Sequence, residues 1–301
     1  MKQVDVVVVS FNSRAVLRSC VEPLASGDGV RVIVVDNNSS DGSLDAVADL
    51  DIDRIPLMDN RGFSYGCNRG WRGGSGEFVL LLNPDARLTR EDLGKMLASF
   101  EKHPAAGAVA PRIRGKDGSL DYSLRRFPRI RSRFAQAFFL HRIAPSAPWV
   151  DEVIRDERVY DRPGFAEWVS GACIVIRRSA LERVDGMDEG FFLYCEDLDL
   201  CRRLWDAGYE VWYEPSAVCV HEGGRSAPRA RLLPILAASR LRYASKHFGV
   251  LGRAAERLGI LIGCVTHLVV SKGGRQVRAG HARAFAVALQ PSGSRRPRTS
   301  T

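Results

Sequence analysis

The sequence predicts an α/β protein with a mostly parallel central sheet flanked by helices and an amphipathic helical C-terminal region. Three observations carry that expectation. In the first 110 residues short β-branched runs alternate with segments of helical period, the pattern of successive βαβ units. With 301 residues, 45% of them hydrophobic, the chain can bury one large core, or one core and a small appendage, without disulfides. Past residue 224, apolar positions recur at helical spacing among basic side chains.

The first strand is the run VDVVVV at 4–9, followed by a helix from about Ser13 and a second strand at 30–35. Ser40, Asp41 and Gly42 read as the opening of the next helix. A third short strand near 54–57, a helix over 64–71 and the run FVLLL at 78–82 continue the alternation. Thr89 is placed to cap a helix with Asp92 three residues on. From 112 to 164 periodicity fades, and RRFPRIRSR (125–133) followed by a Pro-rich stretch reads as a long, mobile basic connection holding one helix. Order returns with a buried strand over 167–176, a helix over 196–207 and short strands at 209–213 and 217–220. Beyond that, Leu251, Ala254, Leu258, Leu261, Val265 and Leu268 share one helical face, with Arg253, Arg257 and Lys272 nearby. The most apolar piece, 258–270, is too short to span a bilayer and reads as a helix lying in the interface. The segment 291–301 reads as a disordered tail.

Charge is divided unevenly along the chain. There are 12 basic and 15 acidic residues in 1–110, 17 and 19 in 111–224, and 15 and 1 in 225–301. A slightly acidic body therefore carries a strongly basic tail, suited to an anionic membrane surface or a polyanion. Nucleic acid fits poorly, because only Tyr243, Phe248 and Phe285 supply aromatic rings beyond residue 224. The seven cysteines lack any CxxC pair and sit mostly in apolar surroundings, so they read as reduced core residues of a cytosolic protein. The opening MKQVDVVVVSFN lacks the length of an export signal.

In open sheets ligands bind at the carboxyl ends of strands, so the polar residues just after each apolar run are the candidates. Asp36, after the second strand, is placed either to accept a hydrogen bond from a pyrimidine ring or to cap the turn DNNSSDG. Asn60 follows the third strand. Asp85, in Asn83, Pro84, Asp85, is either a hard-oxygen ligand for Mg²⁺ or Mn²⁺ that also faces a diphosphate, or part of a strand-to-helix turn. The densest polar cluster is FFLYCEDLDLCRR. There Glu196 and Asp197 either complement a helix dipole or hold a carboxylate against an apolar wall, raising its pKa toward base work. His221 ends a β-run before two glycines and is a candidate metal or phosphate ligand, with Arg225 and Ser226 as further phosphate partners, against the reading of a structural histidine.

Taken together, VVVVSFN, VVDNNSSDGS, NRGFSYGCNRG, LLNPDARL, WVSGACIVIRRSAL, FFLYCEDLDLCRRLWDAGY and VHEGGRS resemble, in order over about residues 4–226, the family 2 glycosyltransferases, especially their bacterial rhamnosyltransferase-like branch. The resemblance implies a GT-A-like fold, a nucleoside-diphosphate sugar donor, a divalent metal (Mg²⁺ or Mn²⁺) and inversion by single displacement. It implies that Ser10, Asn12 and Asp36 contact the nucleoside, that Asn60, Gly62 and Asn68 form the loop beneath the nucleotide, and that Asn83 and Arg225 also face the donor. Asp85 matches the last acid of the family's DxD motif and, because Asn83 stands for the first, is joined by His221 as metal ligand. Trp168, Ser170 and Gly171 match the acceptor-facing segment. Glu196 and Asp197 match the catalytic acidic pair, with Asp197 as base. On this reading residues 1–226 form the catalytic domain, 1–110 its nucleotide-binding half and 111–226 its acceptor half, and 227–290 a basic helical region that meets the inner face of the cell membrane.

The expected donor is dTDP-L-rhamnose, with UDP-hexoses and UDP-galactofuranose open. The expected acceptor is a glycan or a polyprenyl-diphosphate-linked saccharide of the envelope, and self-association is left open. Two other classes compete: a nucleotidyltransferase, whose Gly-rich basic loop is replaced here by SFNSR, and a non-catalytic membrane or polyanion binder, which leaves the strand-end acids unexplained.

Overall fold

The computed structural model describes residues 3–144, 147, 149–223, 229–270 and 274–290. Arg225, Ser226 and the tail 291–301, singled out above, lie outside the described residues. In chain order the elements are β1 (Val4–Ser10), α1 (Arg14–Ala25), β2 (Val30–Asp36), β3 (Asp53–Pro56), α2 (Phe63–Arg72), β4 (Phe78–Leu82), β5 (Ala86–Leu88), α3 (Arg90–Lys102), β6 (Ala106–Arg114) and β7 (Leu124–Arg125). Next come α4 (Ile130–Ala137), α5 (Leu140–Ile143), β8 (Gly164–Phe165), β9 (Trp168–Val169), β10 (Cys173–Arg177), α6 (Arg178–Arg183), α7 (Glu196–Asp206) and β11 (Glu210–His221). Three helices follow: α8 (Arg229–His247), α9 (Val250–Val270) and α10 (Gly274–Leu289). The chain divides into two compact units, one of Met1–Arg126, Asp156–Glu189 and Glu196–Gly223, the other of Phe127–Arg155, Gly190–Cys195 and Gly224–Thr301. The sequence suggested one boundary near residue 226. Two earlier segments instead pack with the C-terminal helices, which the fading periodicity after residue 112 did not reveal.

The first unit is built on a nine-stranded sheet in the order β3, β2, β1, β4, β10, β6, β11, β5, with β8 paired to β11. β1, β2, β3 and β4 pair in parallel, and β10 runs antiparallel between β4 and β6. Every residue of β1 is buried, because helices cover both faces of a parallel sheet and alternation disappears. Asp5 is the buried charged residue of β1. At 2% exposure, it accepts from the Gly76 N–H at 2.6 Å and pairs with Arg178, so its charge is answered inside the core. α2 lies close against β1 because Gly66 and Gly70 present no side chain: a Cβ there would stand 2.6 Å from Val9 and 2.3 Å from Val7. The expected capping box opens α3, with Thr89 Oγ1 accepting from Asp92 N–H at 3.0 Å and donating to Asp92 Oδ2 at 2.6 Å.

Four local readings change. SSDGS opens no α-helix; Asp41 accepts from Arg14 N–H and from Ser43, and one short 3₁₀ turn, Asp45–Val47, follows. The strand expected over 167–176 is interrupted at residues 170–172, which divides β9 from β10. The two strands expected between 209 and 220 are one, β11, with a register shift between Glu214 and Val218 where it follows β6. The region 112–164, expected to be a mobile loop with one helix, contains β7, α4, α5 and a 3₁₀ turn at Glu157–Asp161.

The second unit is helical. Its buried residues include Ala237, Ile260, Cys264, Ala284 and Ala288, small side chains that let α8, α9 and α10 approach closely. Arg133 of the basic run is buried, with Glu152 at 3.0 Å and Glu256 at 3.1 Å, and Arg240 holds the other oxygen of Glu256 at 2.7 Å. The apolar stripe read on α9 is divided: Leu251 is 85% exposed, Leu258 50% and Val265 48%, whereas Leu261 and Leu268 are half-buried, Leu261 packs against the helical core, and Glu256, Ile260 and Cys264 make the buried face. Among the described residues no helix is long and apolar enough to cross a membrane.

Gly70→Ala is expected to destabilise the first unit by about 1–3 kcal/mol, since the added methyl overlaps Val7 and α2 must shift. Chemical denaturation checks this; an unchanged midpoint would show that α2 has room to move.

Candidate active site

The carboxyl ends of β2, β1 and β4 lie side by side, and each presents a polar residue. Ser10 and Asp36 are paired in the β1–β2 register, and Val8 opposite Leu82 sets Asn83 next along the same edge. Ser10 is fully buried and its hydroxyl has no hydrogen-bond partner. Asp36, 6% exposed, accepts from Ser39 twice, from the N–H at 2.8 Å and the hydroxyl at 2.5 Å. Asp36 thus closes its own turn, although the helix that turn was expected to cap is not formed. Asn12, with φ of 51°, joins the same turn: its Oδ1 accepts from Ser40 N–H at 2.9 Å and its own N–H donates to Ser39. Asn37, which the sequence did not single out, ties the loops together by donating its backbone N–H to Ser10 O and its side chain to Gly62 O.

Gly62 opens α2 with φ of 93° and donates to Asn60 Oδ1 at 3.0 Å. Its left-handed backbone is one that a side chain would strain. Asn68, expected beneath a nucleotide, is engaged elsewhere. It is 1% exposed, donates to Met187 O and Glu189, and accepts from Trp71 Nε1 and Met187 N–H. Its amide is thus engaged within the protein, three bonds holding residues 187 and 189 and one holding Trp71.

After β4 the chain turns through residues 83–85 into β5, which the sequence missed because a three-residue strand has too little pattern to register. β5 pairs antiparallel with the end of β11, and opposing His221 to Ala86 brings His221 Nε2 within 3.2 Å of Asp85 Oδ1. The Asn83 side chain lies 3.4 Å from the same nitrogen. On the far side of the ring Asp121 stands 3.9 Å from Nδ1. Burial works against a charged imidazole, yet the bonds to Asp121 and Asp85 and the Asp85 charge outweigh it, holding the His221 pKa up at about 10. The donor set, one carboxylate and one imidazole, suits Mn²⁺ or Mg²⁺ when phosphate oxygens complete the shell. Among the described residues no group of three or more acidic, histidine or cysteine side chains is arranged as a metal site, so a substrate would have to supply the remaining ligands.

The acidic pair meets this cluster through the backbone. Asn83 N–H donates to Ala172 O at 2.9 Å, and the neighbouring Gly171 N–H donates to Asp197 Oδ2 at 3.0 Å. Asp197 also accepts from Leu198 N–H. Two consecutive residues in the left-handed region, Tyr194 at 71° and Cys195 at 63°, lead into Glu196 at the start of α7. Glu196 is 7% exposed with one carboxylate oxygen lacking any hydrogen bond. Burial, then the charge of Asp197, raises its pKa to about 8. Burial raises Asp197 as well, opposed by the bonds from Gly171 and Leu198 and by the charge of Arg125. Glu196 also reaches α2: burial and then its charge push the Cys67 thiol well up. Ser170 N–H donates to Ser123 O at 3.0 Å, and Trp168 donates from Nε1 to Arg126 O at 2.8 Å beneath the Arg125 guanidinium.

Comparison with known proteins adds the family context. Residues 5–185 match the model of glycosyl transferase family 2. The chain is 33% identical over 219 residues to an N-acetylglucosaminyl-diphospho-decaprenol L-rhamnosyltransferase of Mycobacterium tuberculosis, covering 68% of this chain and 71% of that one. It is 34% identical over 152 residues to an Escherichia coli rhamnosyltransferase, covering 50% and 54%. Among solved structures it resembles a Pyrobaculum calidifontis mannosyltransferase in complex with GDP-Man and Mn²⁺, with a TM-score of 0.56 at 17% identity over 96% of this chain and 86% of that one. It also resembles Staphylococcus aureus TarS in complex with UDP-GlcNAc, with a TM-score of 0.54 at 15% identity over 95% and 89%. These likenesses establish the GT-A fold.

Gly171→Ala is expected to lower turnover roughly several-fold to tenfold with little change in melting temperature. The new Cβ would stand 3.1 Å from Asp197 Cβ, so the Asp197 side chain must give way slightly, and small misplacements of a group that takes part in a reaction lower its rate. Steady-state kinetics beside a thermal melt checks it; equal losses of stability and activity would count against a local effect.

Proposed function

The chain belongs to glycosyltransferase family 2, and from that premise we propose that it is an inverting transferase moving a sugar, best read as L-rhamnose from its dTDP donor, to a polyprenyl-diphosphate-linked or polysaccharide acceptor of the cell envelope. The observation that supports the reading is the pair of backbone bonds through residues 171 and 172, which links the Asp197 carboxylate to Asn83, two residues before Asp85. The rhamnosyl donor and lipid-linked acceptor rest on the two rhamnosyltransferase relatives; UDP-hexose and UDP-galactofuranose are the runner-up donors.

In this mechanism Ser10, Asn12 and Asp36 line the nucleoside position, Asn60 and Gly62 shape the loop beside it, and Asn83 faces the diphosphate. Asp85 and His221 would hold Mn²⁺ or Mg²⁺, which when bound neutralises charge on the departing diphosphate. As a ligand the His221 imidazole would have to be neutral. Trp168, Ser170 and Gly171 orient the acceptor hydroxyl. Asp197 removes its proton as the oxygen attacks the anomeric carbon on the face opposite the leaving group. Glu196, buried beside it with a raised pKa, holds a proton near neutrality, because two adjacent carboxylates cannot both ionise cheaply.

The second unit is read as the membrane-facing part. Between residues 229 and 290 the only acidic side chain is the buried Glu256. Arg231, Arg242, Arg253, Arg275, Arg278 and Arg283 are exposed, as are Leu251, Leu258 and Val265 of α9. A basic surface with exposed apolar side chains suits an anionic leaflet, which supports reading the protein as peripheral at the inner face of the membrane.

A donor panel with and without Mn²⁺ or Mg²⁺, following nucleoside diphosphate release and product mass, tests the reaction; pyrophosphate release from nucleoside triphosphates would instead favour a nucleotidyltransferase. Asp197→Asn is expected to abolish transfer while donor binding survives, and near-normal turnover would sink the base assignment. Asp85→Ala should weaken metal-dependent nucleotide binding about tenfold or more in calorimetric titration. Leu258→Glu with Val265→Glu should release the protein from anionic vesicles in a sedimentation assay; unchanged partitioning would remove the membrane role of α9.

A further inference from the structure

We propose that Arg125 is a positioning residue for the transfer reaction, held over Trp168 so that its guanidinium keeps Asp197 the charged member of the acidic pair. The proposal rests on the reading of Asp197 as base.

Its first support is the rigidity with which Arg125 is presented. β7 and β9 form a ribbon of two residues each, Leu124 opposite Val169 and Arg125 opposite Trp168. So short a ribbon cannot stand alone, and the surroundings pin it on both sides. Leu124 N–H donates to the hydroxyl of fully buried Tyr160 at 3.0 Å, and Tyr213 in turn donates to Tyr160 O at 3.2 Å. Ser123 O accepts from Ser170 N–H, and Arg126 O accepts from the Trp168 indole at 2.8 Å. The residues before and after Arg125 are thus fixed through their backbone.

The second support is what the guanidinium does once there. Its central carbon lies 5.1 Å from the centre of the Trp168 ring, a stacking geometry that favours the cation. Its Nε is buried without a hydrogen-bond acceptor, and no ion pair to Arg125 is formed among the described residues. A buried guanidinium nitrogen left without a partner is costly to the fold, which argues for a use other than stability. Trp168, on which the guanidinium stacks, lies three residues before Gly171, whose N–H holds the Asp197 carboxylate, and a positive charge on that side favours the ionised form of the acid.

The third support is the asymmetry of the pair. Asp197 has two backbone N–H donors and a cation; Glu196 has an oxygen with no partner and no cation. The ionisable groups around Asp197 are Glu196 and the buried Cys201 thiol on α7 and Arg125 on β7, with Cys67 on α2 behind Glu196; residues 170–172 contribute backbone only. Arg125 is the cation that bears on Asp197 among the described residues, and it adds to the two backbone bonds in favouring a charged Asp197 beside a protonated Glu196.

The sign of the effect is fixed. A base acts when deprotonated, so activity is lost as pH falls through the titration of the pair, and removing a nearby positive charge raises that titration. The test is the pH profile of kcat/KM for the full-length protein and for Arg125→Gln and Arg125→Lys. The glutamine variant is expected to move the acid limb up by about 0.5–1 pH unit, and the lysine variant, which keeps the charge, to return it toward the wild-type position. A role confined to packing on Trp168 would lower activity or melting temperature without moving the limb, and an unmoved limb in Arg125→Gln overturns the proposal. If the glutamine variant does not fold, the lysine variant decides: a limb at the wild-type position supports the proposal and a limb displaced upward overturns it. The underlying base assignment fails separately, through retained turnover in Asp197→Asn, whatever Arg125 does.

Discussion

The antiparallel insertion of β10 between β4 and β6 is the constraint on which the site depends. β10 enters the sheet from the edge where β1, β2 and β4 end, so the residues just before it, 170–172, must cross the mouth of the parallel strands. The crossing is stitched to the Asn83 amide on one side and to the Asp197 carboxylate on the other. A wholly parallel sheet would have left the acidic pair and the turn at Asp85 with no common backbone. Gly171 is small because the crossing passes within contact distance of Asp197, and the break between β9 and β10 is the local irregularity that a buried strand accepts when its end has another task.

Charge is handled differently at the two ends of this crossing. At Asp85 a histidine lies between two carboxylates and carries their compensation, its pKa raised to about 10. At Glu196 and Asp197 no histidine is present, and the compensation is a retained proton, with the Glu196 pKa near 8. One end therefore carries its extra proton on an imidazole, the other on a buried carboxyl. The Asp5 and Arg178 pair, by contrast, satisfies itself completely within the core and takes no part in either exchange.

The sheet was legible in the sequence because its parallel strands are continuous β-branched runs, and because the Thr89 cap and the glycines of α2 are strong local signals. The acids at strand ends were legible for the same reason, as polar residues that stop an apolar run. What could not be read was partnership across distance. Asn68 looks the same whether it faces a ligand or clamps residues 187–189. Asp121 and Arg125 sit in a stretch without periodicity, and only the registers of β5 with β11 and of β7 with β9 disclose their neighbours. The basic run 125–133 illustrates the limit: composition marked all of it as a solvated connection, whereas Arg133 is buried between two glutamates and Arg125 stacks on a tryptophan. The α9 stripe reads in the sequence as one shared face, but it is divided between exposed and half-buried positions, and the burial of Glu256 with Arg133 and Arg240 turns the opposite side inward.

The pair of left-handed residues before Glu196 bears on how this chain can vary in length. Tyr194 and Cys195, both in the left-handed region, immediately precede the start of α7 at Glu196, and residues with a Cβ adopt that backbone only where the local chain holds it. A change in length within the non-helical stretch 190–195 would lose that pair of conformations at the entry to the acidic pair while leaving the hydrophobic content of the segment nearly unchanged. Insertions and deletions among related chains should then gather where no such pair is kept, as in the turn at residues 115–119, and spare the six residues that lead into the acidic pair.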